Sequence, residues 1–370
     1  MNIHFLPDSV YSKRFIEINN RINNDSIYIV LYGELKHLNK KDVVSIPLLN
    51  EYSLRKHPFL FIKNFYKLLK CINKAERVYF HYLLDLHLVL VLFFLRNKKT
   101  FWLVWGADLY DRIKYELYDL NTLKLFQNSE KKYKKRIIRH KIKEIIVSKA
   151  IKKISYIGTI IDGDYKLISD NFGVSNNRID FFYANPLKFD YYIPSTYSSK
   201  KIINILLGNS GDPTNNHIII LEKLKKMNNI KIYCPLSYGN PDYIKKIIDY
   251  GKLNLGDSFI PITEFLSENE YLKILDTIDV AIMNHYRQQA LGNIFVLLAL
   301  GKVVYINSKS TIYDFFIKKG IVIHDTNELL NETFIDFSFL EEETKNKNRC
   351  IVKNINSEEQ SLLYIKQLYT

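Results

Sequence analysis

Asn204-Ile-Leu-Leu-Gly208-Asn-Ser-Gly211-Asp-Pro-Thr-Asn-Asn-His217 decides the reading of this chain: an apolar run breaks there into a Gly/Ser/Asn loop before a helical pattern resumes. Ile202, Ile203, Ile205, Leu206 and Leu207 make a run that is short and ends at a glycine, which predicts a buried strand over 201–207. Gly208 and Gly211 tolerate positive φ and let backbone N–H groups face a ligand, while Asp212 or Thr214 can cap the next helix and Pro213 suits its first turn. Such a loop suits an anion, and phosphate is expected there. An ordinary strand-to-helix turn uses the same residue types.

Asp279-Val-Ala-Ile-Met-Asn-His285-Tyr-Arg287-Gln-Gln-Ala-Leu-Gly292-Asn293 supplies a second such element. It predicts a strand over 279–283, a polar loop, a helix beginning near Gly292, and the next parallel strand over 303–306 after a Gly301 C-cap. In a doubly wound sheet all these loops lie at the carboxyl ends of the strands, so the two polar stretches are expected on one edge.

Taken in order, strands are expected near 3–6, 26–32, 78–82, 100–104, 153–159 and 178–183, and again near 202–207, 230–234, 258–260, 280–283, 303–306 and 321–323. Helical segments lie between them, which is a Rossmann-like α/β pattern in each half. Tyr183-Ala-Asn-Pro186 to Ser199 is the natural linker. The expected organisation is an acceptor domain over 1–195, a donor domain over 200–350, and a C-terminal helix over 351–370 that packs back on the first domain.

At 370 residues, the chain is long enough for two domains that each bury a core. Its three cysteines, Cys71, Cys234 and Cys350, are odd in number and far apart, which suggests neither a disulfide framework nor a zinc site and fits a reducing cytosol. Met1 to Pro7 shows no signal-peptide pattern. The longest apolar run, Tyr82 to Leu95, contains Asp85 and His87 and falls short of the about 20 residues of a bilayer span, so a buried helix is expected there.

The net charge of +14 implies an acidic partner. Lys and Arg concentrate in Glu130 to Lys149 around Tyr133, Ile137, Ile138, Ile142, Ile145 and Ile146, near helical spacing. A basic amphipathic helix reads as a membrane-surface element, so contact with anionic headgroups is expected; a solvated helix face is the plain alternative. No nucleic-acid motif accompanies the charge, and no nucleic acid is expected as partner.

Three blocks carry a resemblance: Trp105-Gly-Ala-Asp-Leu-Tyr110, Gly208-Asn-Ser-Gly-Asp212 with Asn216-His-Ile218, and Arg287-Gln-Gln289 with Gly292. Together they resemble the 4-acetamido-4,6-dideoxygalactose (Fuc4NAc) transferase family of GT-B glycosyltransferases, in which two Rossmann-like domains face across a cleft. Ala290 and Asn293 depart from the pattern. The family's known enzyme moves the sugar from a dTDP donor to a polyprenyl-diphosphate-linked disaccharide in enterobacterial common antigen synthesis. The resemblance therefore implies a nucleotide-sugar donor, a lipid-linked saccharide acceptor, and a peripheral protein on the cytoplasmic face of the inner membrane.

Such a transfer needs a clamp on the leaving diphosphate. Gly208, Asn209, Ser210 and Gly211 are expected to supply donors, with Arg287 and Asn293 at a helix start neutralising the developing charge. Gln288 and Gln289 are expected on the donor sugar, and Asn284, His285 and Gly292 complete the donor set. Tyr233 to Asn240 and Thr263 to Phe265 are candidates for the nucleotide pocket. For the general base the candidates are Asp108 and His81; an N-cap role for Asp108 and a packed core role for His81 stand beside them. Asp162-Gly-Asp164 is expected to cap a helix, so no metal and no cofactor is expected. Another nucleotide-sugar enzyme of this fold, such as an epimerase or phosphorylase, and a non-catalytic basic membrane-binding protein remain as alternatives.

Overall fold

The computed structural model describes residues 1–125, 144–175, 177–184, 202–331, 337 and 340–370. The chain divides into two compact units, one of Met1–Ile113, Arg136–Pro186 and Asn356–Thr370, the other of Lys114–Lys135 and Leu187–Ile355. Most of the basic stretch 130–149 and of the linker 183–199 lies outside the described residues.

The first unit is built on strands β1 (Asn2–Phe5), β2 (Ser26–Val30), β3 (Val44–Ser45), β4 (Arg77–His81), β5 (Lys99–Leu103), β6 (Tyr156–Gly158) and β7 (Asn177–Ile179), in the order β3-β2-β1-β4-β5-β6-β7. Neighbouring strands pair in parallel. A central parallel strand is covered on both faces, so both of its side-chain sets are buried; all four residues of β1 are, His4 among them. The two-residue β3 lies in the apolar run Val43 to Leu49, which is not among the expected strands.

In the second unit the strands are β8 (Ile203–Leu207), β9 (Ile230–Pro235), β10 (Phe259–Ile262), β11 (Val280–Met283), β12 (Val303–Ile306) and β13 (His324–Asp325), ordered β10-β9-β8-β11-β12-β13 and again parallel. Ile205, Leu207, Ile232, Val280 and Ile282 are fully buried in its core. The chain lays β8, β9 and β10 outward to one side, then returns to set β11 beside β8. The strand order reverses between β8 and β11, and in open α/β sheets ligands bind outside the carboxyl ends of the strands at such a reversal. Both polar loops singled out in the sequence leave there.

Several expectations shift: the strands expected near 153–159 and 178–183 are Tyr156–Gly158 and Asn177–Ile179, and the C-terminal helix expected over 351–370 is two helices, Glu342–Ile355 and Glu358–Gln367. The last strand is His324–Asp325, following the apolar residues 321–323 expected to form it. The run Tyr82 to Leu95 forms the helix Asp85–Phe93, but it is buried on one side only: His87, Leu88, Leu90 and Val91 face inward, while Val89 and Phe93 are exposed. No described helix is long and apolar enough to cross a membrane.

At the C-terminus the helix Glu342–Ile355 packs in the second unit, where Arg349 Nε donates to the Ala299 carbonyl at 3.2 Å. The helix Glu358–Gln367 belongs to the first. There Arg14 pairs with Glu358 at 2.7 Å, and the Tyr79 hydroxyl donates to the Leu368 carbonyl at 2.6 Å.

Candidate functional site

Gly208 closes β8 with φ +68°, a conformation that favours glycine, and its N–H donates to Ile282 O at 3.0 Å, extending the ladder to β11. The following amides also turn inward. Asn209 N–H donates to Asn215 Oδ1 at 3.0 Å, Gly211 N–H to Tyr238 O at 2.7 Å, and Asp212 N–H to Ser210 Oγ at 3.3 Å. This corrects the expected phosphate cradle: the amides of Gly208, Asn209 and Gly211 bind protein, not a ligand.

Asn215 accounts for the Asn209 amide. It is fully buried, and while its Oδ1 holds the Asn209 amide its Nδ2 donates to the carbonyls of Ser210 (3.0 Å) and Asp212 (2.9 Å). Asp212 does cap, accepting from Thr214 N at 2.9 Å, but what it caps is a one-turn 3₁₀ segment, Pro213–Asn215. The α-helix His217–Leu224 begins only after Asn216, which stands in the left-handed region that asparagine tolerates. Asn216 Oδ1 in turn accepts from Asp119 N at 2.9 Å, and its Nδ2 donates to Leu117 O at 3.2 Å, which fastens the segment after Lys114 to this loop.

The loop after β11 splits into a buried half and a half-buried one. Asn284 and His285, expected to touch the donor, are fully buried. Asn284 Oδ1 accepts from Asn307 Nδ2 (2.8 Å) and Thr326 Oγ1 (2.9 Å), and His285 Nε2 meets Asn215 Oδ1 at 2.8 Å. Burial pushes the imidazoles of His217 and His285 down to about 3, so both are neutral struts beneath the loops.

Arg287, Gln288, Gln289 and Ala290 then come partly to the surface. Gln289 Oε1 accepts from Arg287 Nε at 2.9 Å and Thr214 Oγ1 at 2.7 Å, and its Nε2 donates to Asn209 Oδ1 at 2.9 Å. Arg287 Nη2 stays 4.0 Å from Asp212 Oδ2, and the Arg287 carbonyl accepts from Ser310 Oγ at 2.9 Å. Gln288 Oε1 is buried without a hydrogen bond to a described residue. Immediately after, the helix Leu291–Ala299 starts from Ala290, whose methyl cannot cap it and whose φ is +58°. Gly292 sits in the first turn, and Asn293 Nδ2 donates to Tyr271 OH at 3.1 Å.

Positive charge therefore collects at the reversal from a guanidinium held by its inner nitrogen and from a helix start without a side-chain cap. Beside it Asn209 Nδ2 donates to Tyr238 OH at 3.2 Å, and the half-exposed Tyr238 ring stacks on the exposed Phe265 with centroids 6.0 Å apart. Both aromatics fall within the ranges expected to line the nucleotide pocket. The roles of Asn215 and Asn216 were not read from the sequence, although an Asn-Asn pair after a Gly-rich loop is a signal for side chains that close the loop on itself.

In the first unit the two candidate bases are scaffold. Asp108 is almost fully buried; its Oδ2 accepts from Leu83 N (2.9 Å) and Trp102 Nε1 (2.6 Å), and its Oδ1 from Trp105 N (3.0 Å). Burial raises its carboxyl above the usual range against the pull of these donors. It caps no helix end, since Gly106 is the N-cap of Ala107–Tyr110. His81 is likewise enclosed: Nδ1 meets Tyr183 OH at 2.6 Å and Nε2 meets His4 Nδ1 at 3.1 Å, so neither nitrogen is left for an acceptor hydroxyl. Burial, with His4 and His87 close by, drives this ring well below its ordinary range.

Asp162 and Asp164 stand in the first turn of the helix Asp162–Phe172, with Ile161 at the N-cap. Asp162 pairs with Arg178, and the buried Asp164 accepts from Tyr110 OH at 2.9 Å.

Two doubly wound parallel sheets, one carrying a basic, half-buried loop at its reversal, are the architecture of the GT-B glycosyltransferases. Solved structures agree on the fold. Sucrose-phosphate synthase from Thermosynechococcus elongatus matches with a TM-score of 0.68 at 13% identity, over 100% of this chain and 98% of that one. HepE of Anabaena, solved with UDP, gives 0.65 at 11% identity over the same shares, and a glycosyltransferase from Rickettsia africae gives 0.64 at 14%, again over 100% and 98%. The chain belongs to glycosyl transferase group 56, described as 4-alpha-L-fucosyltransferase, whose family model matches residues 68–338.

Proposed function

We propose that this glycosyltransferase moves a deoxy-acetamido sugar, Fuc4NAc-like, from a dTDP-sugar to a polyprenyl-diphosphate-linked saccharide at the cytoplasmic face of the inner membrane. The observation that carries the donor half is the Asn209–Gln289–Arg287 chain of hydrogen bonds, which holds a guanidinium beside the N-terminus of Leu291–Ala299. As the bond to the anomeric carbon breaks, charge grows on the departing diphosphate, and a fixed cation with a helix start lowers that barrier without reorganising. Gln288, whose Oε1 lacks a partner among the described residues, is suited to a sugar hydroxyl or acetamido N–H. The Tyr238–Phe265 pair offers an aromatic face to a nucleobase. HepE, of the same fold, was solved with UDP and glucose, which supports a nucleotide sugar as the donor class.

The test is incubation with dTDP-, UDP- and GDP-sugars and a polyprenyl-diphosphate saccharide, followed by mass analysis of the lipid. Lengthening of the lipid by one deoxy-acetamido sugar from the dTDP donor is expected. Hydrolysis or epimerisation of the donor with no lengthened lipid would sink the proposal. An EDTA arm belongs in the same assay: turnover should survive, because Asp162 and Asp164 are committed to Arg178 and Tyr110.

A further inference from the structure

The helix Pro58–Asn73 of the first unit buries only Leu68 and Ile72 completely. Its outward side is apolar where a solvated helix would be polar: Phe59 is 88% exposed, Ile62 61% and Tyr66 60%. At about 100° per residue these three fall within one narrow arc roughly opposite Leu68. The next arc is basic, with Lys63, Lys67 and Lys70 exposed along it and Lys70 Nζ 4.6 Å over the Tyr66 ring. The helix contains no acidic residue, and Arg55 and Lys74 extend the charge beyond its ends. The Phe65 ring of this helix meets Phe94, at the end of the helix Asp85–Phe93, with centroids 5.6 Å apart, and that helix exposes Phe93, 72%, and Val89.

We propose that this outward face of Pro58–Asn73 is the surface by which the protein seats on an anionic lipid bilayer. A row of aromatic and branched side chains beside a row of lysines is what a bilayer interface accepts: rings enter the headgroup boundary while lysines lie along it and meet lipid phosphates. An apolar patch this concentrated marks an interaction surface, and its basic border matches anionic headgroups. The inference rests on the lipid-linked acceptor proposed above. It assigns the contact to Pro58–Asn73, separately from the basic stretch 130–149.

The experiment measures co-sedimentation of the full chain with vesicles of phosphatidylcholine alone and with phosphatidylglycerol added, without any saccharide acceptor. The variants are Phe59→Ser/Ile62→Ser/Tyr66→Ser, Lys63→Ala/Lys67→Ala/Lys70→Ala, and Phe59→Trp as a reporter. Wild-type binding should need phosphatidylglycerol and fall at least tenfold in both triple variants, with the thermal midpoint unchanged because the residues are exposed. The new tryptophan should shift to the blue on anionic vesicles and be quenched by brominated lipid. Wild-type binding in the serine variant would overturn the inference and move the contact elsewhere, as would a concentration-dependent dimer abolished by the same substitutions. Transfer to a water-soluble acceptor keeps the two proposals apart. Its absence in wild type that binds vesicles counts against the function, and its persistence in variants that still bind vesicles counts against the face.

Discussion

Gln289 Nε2 donates to Asn209 Oδ1 at 2.9 Å, so a side chain from the loop after β11 fastens the loop after β8. Its Oε1 meanwhile takes Thr214 Oγ1 and Arg287 Nε. A side-chain amide supplies a donor on one atom and a two-lone-pair acceptor on another, which suits glutamine there. The two polar stretches of the sequence thus meet through this residue, and the amides of Gly208, Asn209 and Gly211 are bonded within the protein.

Removing that link should loosen the donor site without unfolding the domain. Gln289→Leu keeps the volume but frees Arg287 and Asn209 to move, and kcat/KM should fall about 10- to 100-fold, roughly 1.4–3 kcal/mol. Gln289→Glu keeps both acceptor bonds and loses only the donor to Asn209, so it should fall between. A leucine variant with wild-type kcat/KM would show that the link has no part in donor binding.

Arg287 should act more on kcat than on KM, because its interaction strengthens as the diphosphate departs. Arg287→Ala is expected to lower kcat about 10²- to 10³-fold. Arg287→Lys keeps a charge but lacks the Nε–H that Gln289 orients, and should recover less than tenfold of the loss. Single-turnover rates at saturating donor make the comparison; an alanine variant within threefold of wild type removes Arg287 from the chemistry.

The fold was legible because parallel strands buried on both faces read as continuous apolar runs, and because Gly208 and Gly301 end elements where a chain must turn. At the site, Arg287 and the glutamines were legible as polar residues with no solvation reason to be clustered. What was not legible is direction. The Gly-Asn-Ser-Gly loop has the composition of a phosphate cradle, and only distant acceptors, the Asn215 side chain and the Ile282 and Tyr238 carbonyls, decide that its amides point inward. Asp108 and His81 sit at strand ends as catalytic groups do, but burial against Trp102 and Tyr183 is a long-range fact absent from local pattern. The outward phenylalanines of 58–73 share helical spacing with a core face, and the periodicity alone does not say which side is covered.

Two glycines separate backbone strain from crowding. A Cβ added at Gly320, whose φ is +76°, would meet nothing within 4 Å, so Gly320→Ala should cost only the left-handed penalty of about 1–2 kcal/mol. At Gly208 the added carbon would lie 2.6 Å from Asn215 Oδ1 and 2.7 Å from His217 Nε2. Gly208→Ala must therefore displace Asn215, and should lower the thermal midpoint further and weaken donor binding as well. Equal midpoints for the two variants would mean that Asn215 yields freely.

Asp108 should prove structural. In Asp108→Asn the amide nitrogen faces at least one of the donors Leu83 N–H, Trp102 Nε1–H and Trp105 N–H, leaving a buried donor unpaired at about 1–3 kcal/mol. The thermal midpoint should drop and tryptophan emission change, while the folded fraction keeps turnover within about tenfold. An unchanged midpoint with turnover lost by more than a thousandfold would return Asp108 to the role of base.

Acid should destabilise both units well above the range in which carboxylates titrate. His4 and His87 in the first unit and His217 and His285 in the second are buried and held down to about 3, each chiefly by desolvation, against about 6.5 when unfolded. Between those values the unfolded chain binds protons that the native chain refuses. Stability is therefore fully present above about pH 6.5 and is lost as pH falls toward 3, at up to about 1.4 kcal/mol per pH unit for each such histidine. Thermal midpoints taken from pH 7.5 to 4.5 should fall steadily from near pH 6.5. Replacing His285 by Gln, which can still donate to Asn215 Oδ1, should flatten the slope even if it lowers the midpoint at neutral pH. A slope that stays flat to pH 5 in the wild type would mean that these rings take up protons in the native state, and with it the neutral struts beneath the donor loops would be lost.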